Sequence, residues 1–215
     1  MIEIATGLIL RTRPLTETSL IVHWLTSNFG RLATVAKGAR RHKSPFLGKL
    51  DLFYLADFSF NRSRHSDLHN LREVKLRETH DAIRADILKL QQAAYATHFI
   101  EQATETETPL LAIYELLREF LDCLCKQRTA PQLVFAFELK LLHELGLEPA
   151  LTETNLAAGT KKIAGILAQK DWANGLRLKL TAAQTVELRQ FLHGFLIFHL
   201  GHLPKGRAAA LAEDA

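Results

Sequence analysis

Apolar positions in the first 80 residues follow the period of β-strands. Residues 2–13 and 50–60 alternate between apolar and polar side chains, and the intervening runs are rich in β-forming residues. Five strands are predicted, over residues 2–13, 19–26, 31–37, 50–60 and 68–77. Residues 27–30 predict a turn, because Asn and Gly tolerate positive φ, and residues 38–49 predict a loop. Five short strands in this length predict a small closed barrel of the OB type.

From about residue 80 the apolar positions take the period of helices. Ile83, Ile87, Leu90 and Ala94 share one predicted helix face. Helix starts are predicted at Thr108-Pro109, at Pro131 and at a capping box formed by Thr181 and Gln184. Shorter elements are predicted too, a helix over residues 159–169 and an extended piece over 176–180. The predicted fold is therefore α+β, with an OB-type barrel over residues 1–79 and an all-helical domain over 80–215.

The charge is divided unevenly between these two parts. The 215 residues carry a formal net charge of only +4, but residues 1–80 hold 13 Lys and Arg against 7 Asp and Glu. Residues 31–49 contain six cations and no acid. Such an asymmetry suggests a polyanionic partner for the barrel, and a solvated surface loop is the competing interpretation.

The sequence offers little for catalysis. It has no phosphate-binding glycine motif, and its two cysteines exclude a four-Cys zinc site. A magnesium-dependent nuclease needs clustered carboxylates, whereas Asp51 and Asp57 lie six residues apart on a predicted strand. We therefore predict no catalytic residue, no metal site and no cofactor.

Two further patterns bear on location. The longest apolar stretch, near residues 191–200, is too short to span a bilayer. The N-terminus lacks the basic start and apolar core of a signal peptide, so a cytoplasmic protein without a membrane partner is expected.

Several short motifs occur together in the basic half. They are Arg11-Thr-Arg13-Pro14, Glu17-Thr18-Ser19-Leu20, Gly30-Arg31 and the run Val35-Ala-Lys37-Gly38-Ala39-Arg40-Arg41. In this order and spacing they resemble the N-terminal domain of the RecO family of bacterial recombination mediators. Further along, Phe137-Glu138-Leu139-Lys140-Leu141-Leu142 with Leu145-Gly146, then His199-Leu200-Gly201-His202, then Lys205-Gly206-Arg207, resemble later motifs of the same family. Most of the chain is covered, and residues 147–180 are unmatched.

The resemblance implies an OB domain followed by a helical domain, in agreement with the periodicity. It also implies a non-enzymatic protein of DNA repair and recombination, associated with the bacterial nucleoid. Such proteins bind single- and double-stranded DNA, anneal complementary strands, and with RecR load RecA onto strands coated by single-stranded DNA-binding protein (SSB). They also bind the acidic C-terminal tail of SSB.

A set of basic residues and one aromatic residue are the DNA-binding candidates. They are Arg11, Arg13, Arg31, Lys37, Arg40, Arg41, Lys43 and Phe46. Arg11 and Arg13 are two apart and so share a strand face, and Arg31 and Lys37 share one if the third strand is unbroken. A pairing of Arg13 with Glu17 is an alternative for that arginine. Phe46 and Phe29 are candidates for stacking on bases, although a core position is the other interpretation for both. Trp24 and Phe53 are predicted to be core residues.

Two departures from the family pattern concern the helical domain. Many RecO proteins carry two C-x-x-C pairs in the segment that is here residues 147–180, which has no Cys, so this chain resembles a zinc-free variant. Many also have two arginines where Phe135 and Ala136 stand. Arg118, Arg128 and Lys140 are therefore the candidates for binding the SSB tail, which needs a cation for its carboxylate.

Two other functions are kept open. An OB-fold module that binds RNA, with no role in recombination, has the same basic surface, since charge alone cannot distinguish RNA from DNA. A nuclease with an OB domain that guides its substrate is the third hypothesis.

Overall fold

Five strands form where the sequence alternates, in the computed structural model, which describes residues 1–212. The strands are β1 (Ile2–Pro14), β2 (Leu20–Thr26), β3 (Gly30–Ala36), β4 (Leu55–Asn61) and β5 (Leu68–Glu78). They close into a barrel in the order β1-β2-β3-β5-β4. All neighbours are antiparallel except β3 and β5, which pair in parallel over only three residues, Ala33–Val35 with Leu68–Asn70.

Aromatic rings fill the interior of the barrel. Trp24 stacks on Phe58 with ring centroids 4.0 Å apart, and Phe58 lies 5.8 Å from Phe60. The indole Nε1 of Trp24 donates to Thr34 Oγ1 at 2.9 Å, so the one polar atom of this ring is satisfied inside. Trp24 and Phe53 are both buried, which confirms that they are core residues.

Eight α-helices and one 3-10 helix (Leu151–Glu153) follow in the described part of the chain. The α-helices are α1 (Asp81–Arg84), α2 (Ile87–Ala103), α3 (Leu111–Lys126), α4 (Pro131–Glu144), α5 (Ala158–Ala168), α6 (Trp172–Leu176), α7 (Ala182–Leu200) and α8 (Arg207–Ala210). The predicted capping box is present at α7, where Thr181 accepts from the Gln184 backbone and Gln184 accepts from that of Thr181. A barrel followed by helices confirms the predicted fold class.

The predicted strand over residues 50–60 is too long at its start. Phe53 has φ +66°, a conformation that ends a strand, and β4 begins only at Leu55. Leu50 and Tyr54 therefore pack partly against the barrel core from a turn and not from a strand.

Three helical predictions also need correction. Helix α3 begins at Leu111 rather than at Pro109. Leu176, the first residue of the predicted extended piece 176–180, is the last residue of α6, and residues 177–180 form no strand. The four residues predicted to share one helix face do not do so, because Ile83 lies buried in α1 whereas the other three lie in α2, where Ile87 is 65% exposed. The face that is buried instead includes Tyr95, Phe99 and the polar Gln92.

The described chain forms two compact units. The barrel unit comprises Met1–Asp81 with Thr104–Arg118, and the helical unit comprises Ala82–Ala103 with the residues from Glu119 onward. Residues 104–118 thus belong with the barrel although they lie far along the chain. A single domain boundary after residue 79 stays a prediction.

Residues 104–108, which we call the strap, run along the start of β3. Thr106 forms a parallel bridge with Arg31, and the Glu107 backbone N–H donates to the Arg31 carbonyl at 2.7 Å. Gly30 allows this approach: a Cβ there would lie 1.7 Å from the Thr108 carbonyl oxygen. The residue also has φ +66°, so both space and conformation require glycine.

Buried charges tie the helical unit together. Helix α4 is buried over Leu133–Leu142, and its Glu138 accepts hydrogen bonds from Arg207 at 2.6 and 2.9 Å and from the Tyr95 hydroxyl. Burial raises the pKa of the Tyr95 hydroxyl well above its usual value, so it stays a donor. The network links α2, α4 and α8.

None of the helices within residues 1–212 combines the length and the apolar character that crossing a membrane requires.

Candidate nucleic-acid interface

Three arginines surround a histidine on β1, β2 and β3. His23 pairs in the sheet with Arg11 on β1 and with Ala33 on β3, and Arg13 follows in unbroken register. Burial, and after it the positive charges of Arg11, Arg13 and Arg31, lower the pKa of His23 from 6.5 to about 4. His23 is therefore neutral at pH 7. We call Arg11, Arg13 and Arg31 the arginine cluster.

The two arginines of β1 are exposed, as a phosphate contact needs. Glu17 was the alternative partner for Arg13, but no ion pair joins them in residues 1–212. Arg31 is different, because its guanidinium donates to the backbone carbonyl and the hydroxyl of Thr104 in the strap. Arg31 therefore contributes charge to the cluster while its donors are largely occupied.

A second basic feature is a groove at the end of β3. It has a volume of about 350 Å³ and is lined by Lys37 and Arg41 together with the hydroxyl-bearing residues Thr16, Thr18 and Ser19. Both cations are exposed. Cations and hydroxyl groups around one concavity match the needs of a phosphate. We call this feature the basic groove.

The basic groove depends on how the chain leaves β3. The strand ends at Ala36, so Lys37 does not share a strand face with Arg31 as the sequence suggested. Gly38, at φ +69°, turns the chain, and the Arg40 backbone N–H donates to the Thr18 carbonyl at 3.0 Å. That bond holds the segment after β3 against the β1–β2 connection. The turn therefore brings Arg41 back to the same concavity as Lys37.

The loop beyond the groove corrects one candidate. Phe46 is only 6% exposed and belongs to the hydrophobic cluster inside the barrel, so its ring is not available to stack on a base. The turn of residues 44–49 directs Phe46 inward and leaves Leu47 66% exposed instead. Arg40 and Lys43 are exposed, consistent with their proposed roles.

Phe29 remains the better-placed aromatic residue. It is half-buried, its ring meets Phe60 edge-on with centroids 5.8 Å apart, and the Arg62 guanidinium carbon lies 5.9 Å from its centroid. Stacking of Phe29 on a base stays a prediction.

Sequence reasoning missed one charged group next to these features. Glu107 of the strap, at φ +55°, contacts Arg62 and lies 3.1 Å from Nε2 of the buried His69. The three residues are far apart in sequence, and no local pattern predicts the contact. The alternation Thr104-Glu-Thr-Glu-Thr108 was the available signal that this segment is extended.

The carboxylates weighed for a nuclease are engaged in the sheet or its loops. Asp57 accepts from Thr6 Oγ1 at 2.7 Å and from Arg77 Nε at 2.6 Å. Although burial opposes the effect, these hydrogen bonds lower its pKa. Asp51 accepts from the Leu52 backbone N–H at 2.8 Å. These contacts give the two carboxylates structural roles.

The three tail-binding candidates differ in their surroundings. Arg118 belongs to the barrel unit and pairs with Glu115 at 2.8 Å, whereas Arg128 and Lys140 belong to the helical unit. Arg128 is exposed. Lys140 is only 6% exposed, so it is not the surface cation that the sequence suggested.

The surroundings of Lys140 explain its burial. Its ammonium lies 4.9 Å from the centroid of the Trp172 ring and makes no hydrogen bond within residues 1–212. Burial lowers the pKa of this lysine, with Glu119 and Asp171 opposing the shift. Phe135 and Ala136, at the positions of two arginines in many RecO proteins, are buried as well.

The segment over residues 147–180 folds around apolar side chains. Leu167 and Trp172 are buried, while Ile163 and Ile166 are half-buried. The Trp172 Nε1 donates to Glu119 at 3.0 Å, which anchors α6 to α3 within the helical unit.

Comparisons with known proteins agree with this architecture. The family model for the Recombination protein O N terminal matches residues 1–80, and that for the Recombination protein O C terminal matches residues 84–156. Among curated relatives, the DNA repair protein RecO of Alkaliphilus metalliredigens (strain QYMF) is 32% identical over 147 residues, which cover 68% of this chain and 59% of the relative.

Two other relatives give the same result. The DNA repair protein RecO of Syntrophus aciditrophicus (strain SB) is 30% identical over 145 residues, 67% of this chain and 56% of the relative. That of Exiguobacterium sibiricum (strain DSM 17290 / CCUG 55495 / CIP 109462 / JCM 13490 / 255-15) is 31% identical over 151 residues, 70% of this chain and 60% of the relative. The matched stretch therefore spans less than two thirds of each relative's length.

Proposed function

The chain belongs to the RecO family, and from that premise we propose that it binds DNA through its barrel and serves DNA repair without catalysing a reaction. The observation that carries the proposal is the basic groove, where Lys37 and Arg41 line one concavity with three hydroxyl-bearing residues. The arginine cluster adds charge on the outer face of the same barrel.

The chemistry of the groove favours backbone contacts over sequence readout. Flexible cations and hydroxyl groups bind phosphate oxygens, which are the same in every sequence. Binding of this kind releases counterions and depends steeply on salt. The groove therefore suits both single- and double-stranded DNA, as a protein that anneals complementary strands requires.

The partners follow from the family premise. We propose that the protein acts with RecR to load RecA onto strands coated by SSB, and that exposed cations of the helical unit such as Arg128 contact the acidic SSB tail. The burial of Lys140 argues against a direct surface contact by that lysine.

The test is the salt dependence of DNA binding by the double variant Lys37→Ala/Arg41→Ala. Each lost phosphate contact should lower the slope of log K against log salt by about 0.9 for duplex DNA, so the slope should fall by roughly two units. The loss should be about equal for different sequences. Fluorescence anisotropy with labelled oligomers over a range of salt concentrations measures both.

Lys170→Ala/Lys179→Ala is the matched control, because it removes two exposed cations from the helical unit instead. An equal loss in both variants would mean that net charge, and not the groove, determines binding. An unchanged slope in the groove variant would place the DNA contact elsewhere.

Two further measurements with labelled oligomers, one of binding and one of cleavage, test the other two functions. Tighter binding of a matched RNA oligomer would favour the RNA-binding module. Reproducible cleavage of labelled DNA with Mg²⁺ or Mn²⁺ would contradict the non-enzymatic proposal.

A further inference from the structure

A small cavity opens beside the arginine cluster on the barrel unit. Its volume is about 200 Å³, and Trp24 and Leu32 contribute apolar walls. Its polar lining includes four groups on β2, on β3, on the loop before β5 and on the strap: His23, Arg31, Asp67 and Glu107. A cavity with apolar walls and a few polar groups suits a small ligand held in one orientation.

Two polar groups of this cavity have no partner in residues 1–212. Nε2 of His23 is buried and makes no hydrogen bond. The Asp67 carboxylate also makes no hydrogen bond or ion pair there. The other two are occupied, since Glu107 contacts Arg62 and His69 and Arg31 donates to Thr104. A buried nitrogen without a partner calls for a ligand or an ordered water.

The unpartnered groups define the chemistry of the ligand. His23 is neutral at pH 7, because burial and the nearby arginines hold its pKa at about 4. A neutral imidazole forms a hydrogen bond without requiring a charged ligand. A carboxylate accepts from an exocyclic amino group such as N4 of cytosine. With the proton on Nε2, neutral His23 donates to a ring acceptor, and Asp67 accepts from an amino group. These two groups match the chemistry of a neutral planar ring that carries an amino group beside a ring acceptor.

The position of the cavity beside the arginine cluster indicates the source of such a ring. Arg11 is the cross-strand partner of His23, and Arg31 itself lines the cavity, so phosphates bound to the cluster lie next to the cavity. Bases of a single strand are unstacked readily and can be received singly in a pocket. In a duplex the same base edges are paired and inaccessible.

We propose that this cavity receives one nucleobase of a single DNA strand, cytosine or adenine, with its amino group on Asp67 and its ring acceptor on His23. The inference rests on the proposed DNA-binding function and extends it. The basic groove holds strands irrespective of sequence, and the cavity adds a preference that applies to single strands only. Thymine and guanine present a ring N–H where the cavity needs an acceptor, and thymine has no amino group.

The experiment compares oligo(dC) with oligo(dT) of about 20 nucleotides, longer than the site of one OB barrel. Both are pyrimidine strands with the same phosphate content, so a difference arises from the base. The wild-type chain should bind oligo(dC) about tenfold more tightly near neutral pH, within the range for one good base contact. His23→Leu should remove most of that preference and leave oligo(dT) and duplex binding within about twofold.

Asp67→Asn is the second variant and guards against misfolding, because Asp67 is exposed. An amide both donates and accepts, so this variant should narrow the gap between oligo(dC) and oligo(dT). His65→Leu changes an exposed histidine that does not line the cavity, and it should behave as the wild type.

The two proposals fail differently. A wild-type chain that binds no oligomer at all would overturn the proposed function. A chain that binds DNA with equal affinity for oligo(dC) and oligo(dT) would overturn the base pocket alone and leave a water on His23. Equal losses of single-strand and duplex binding in His23→Leu would also overturn it, because a base pocket cannot act on a closed duplex.

Discussion

The barrel unit and the helical unit treat charge in opposite ways. Within residues 1–212, no Lys, Arg, Asp or Glu of the barrel unit is buried, whereas Glu138, Lys140 and Arg207 are buried in the helical unit. The barrel holds its interior with stacked rings and leaves its cations outside. The helical unit uses ions as internal connections. A Lys or Arg of the helical unit can thus be buried and structural, as Lys140 and Arg207 are, which occurs for none in the described barrel unit.

The largest effect is expected when the carboxylate of the buried Glu138–Arg207–Tyr95 network in the helical unit is removed. Glu138→Gln leaves the Arg207 guanidinium buried at 5% exposure without a counter-charge. We expect the free energy of unfolding of the helical unit to fall by about 3–5 kcal/mol. Urea denaturation of a Trp24→Phe background, followed by the fluorescence of Trp172, measures this unit by itself.

Glu144→Gln is the control on the same helix. Its side chain is exposed, so a change of less than about 0.5 kcal/mol is expected. If the free energy of unfolding falls by the same small amount in both variants, the buried ions are not what stabilises the helical unit.

Replacing Lys140 should have a smaller effect on the stability of the helical unit, in the opposite direction. Its ammonium is buried without a hydrogen bond, and the contact with Trp172 offsets only part of the cost of burial. Lys140→Met, of similar length, should raise the stability of the helical unit by about 1 kcal/mol. The same denaturation assay measures it, with the exposed Lys162→Met as a control. A loss of stability would mean that the cation itself contributes to the packing around Trp172.

The smallest expected effect is on the stability of the barrel at acidic pH. His23 has a folded-state pKa of about 4, below its usual 6.5, so the unfolded chain binds the proton more readily. The stability that depends on neutral His23 is complete above about pH 6.5 and is lost as the pH falls toward 4. The melting temperature of the His23→Asn variant should therefore fall less than that of the wild type as the pH is lowered over this interval. An equal fall of the melting temperature in both proteins over this interval would show that the pKa of His23 is not lowered in the folded barrel.

Local patterns were sufficient for the elements that repeat a period. The barrel strands alternate because one face meets the aromatic interior, and the capping box at Thr181 is encoded within four residues. The patterns misled where one residue departs from its neighbours. The positive φ of Phe53 shortens β4, and the buried Gln92 conceals the inward face of α2.

The site was predictable in its charge and not in its geometry. The exposed cations Arg11, Arg13 and Lys37 follow from the strand and loop assignments. Phe46 was misplaced because its basic neighbours suggested exposure, while the turn directs its ring inward. The contact between Glu107 and Arg62 joins residues 45 positions apart, and no local period encodes it.

The strap has a consequence for how the barrel is made. The parallel pairing of β3 with β5 covers only Ala33–Val35, and Thr106 occupies the edge at Arg31 that this pairing leaves open. A nascent chain that has emerged only as far as residue 80 has all five strands and still lacks this cover. Uncovered strand edges can pair with strands of other chains. We therefore expect the nascent barrel to be prone to aggregation until residues 104–108 have been synthesised and cover this edge. Gly30, which makes room for the strap, is thereby a safeguard during synthesis.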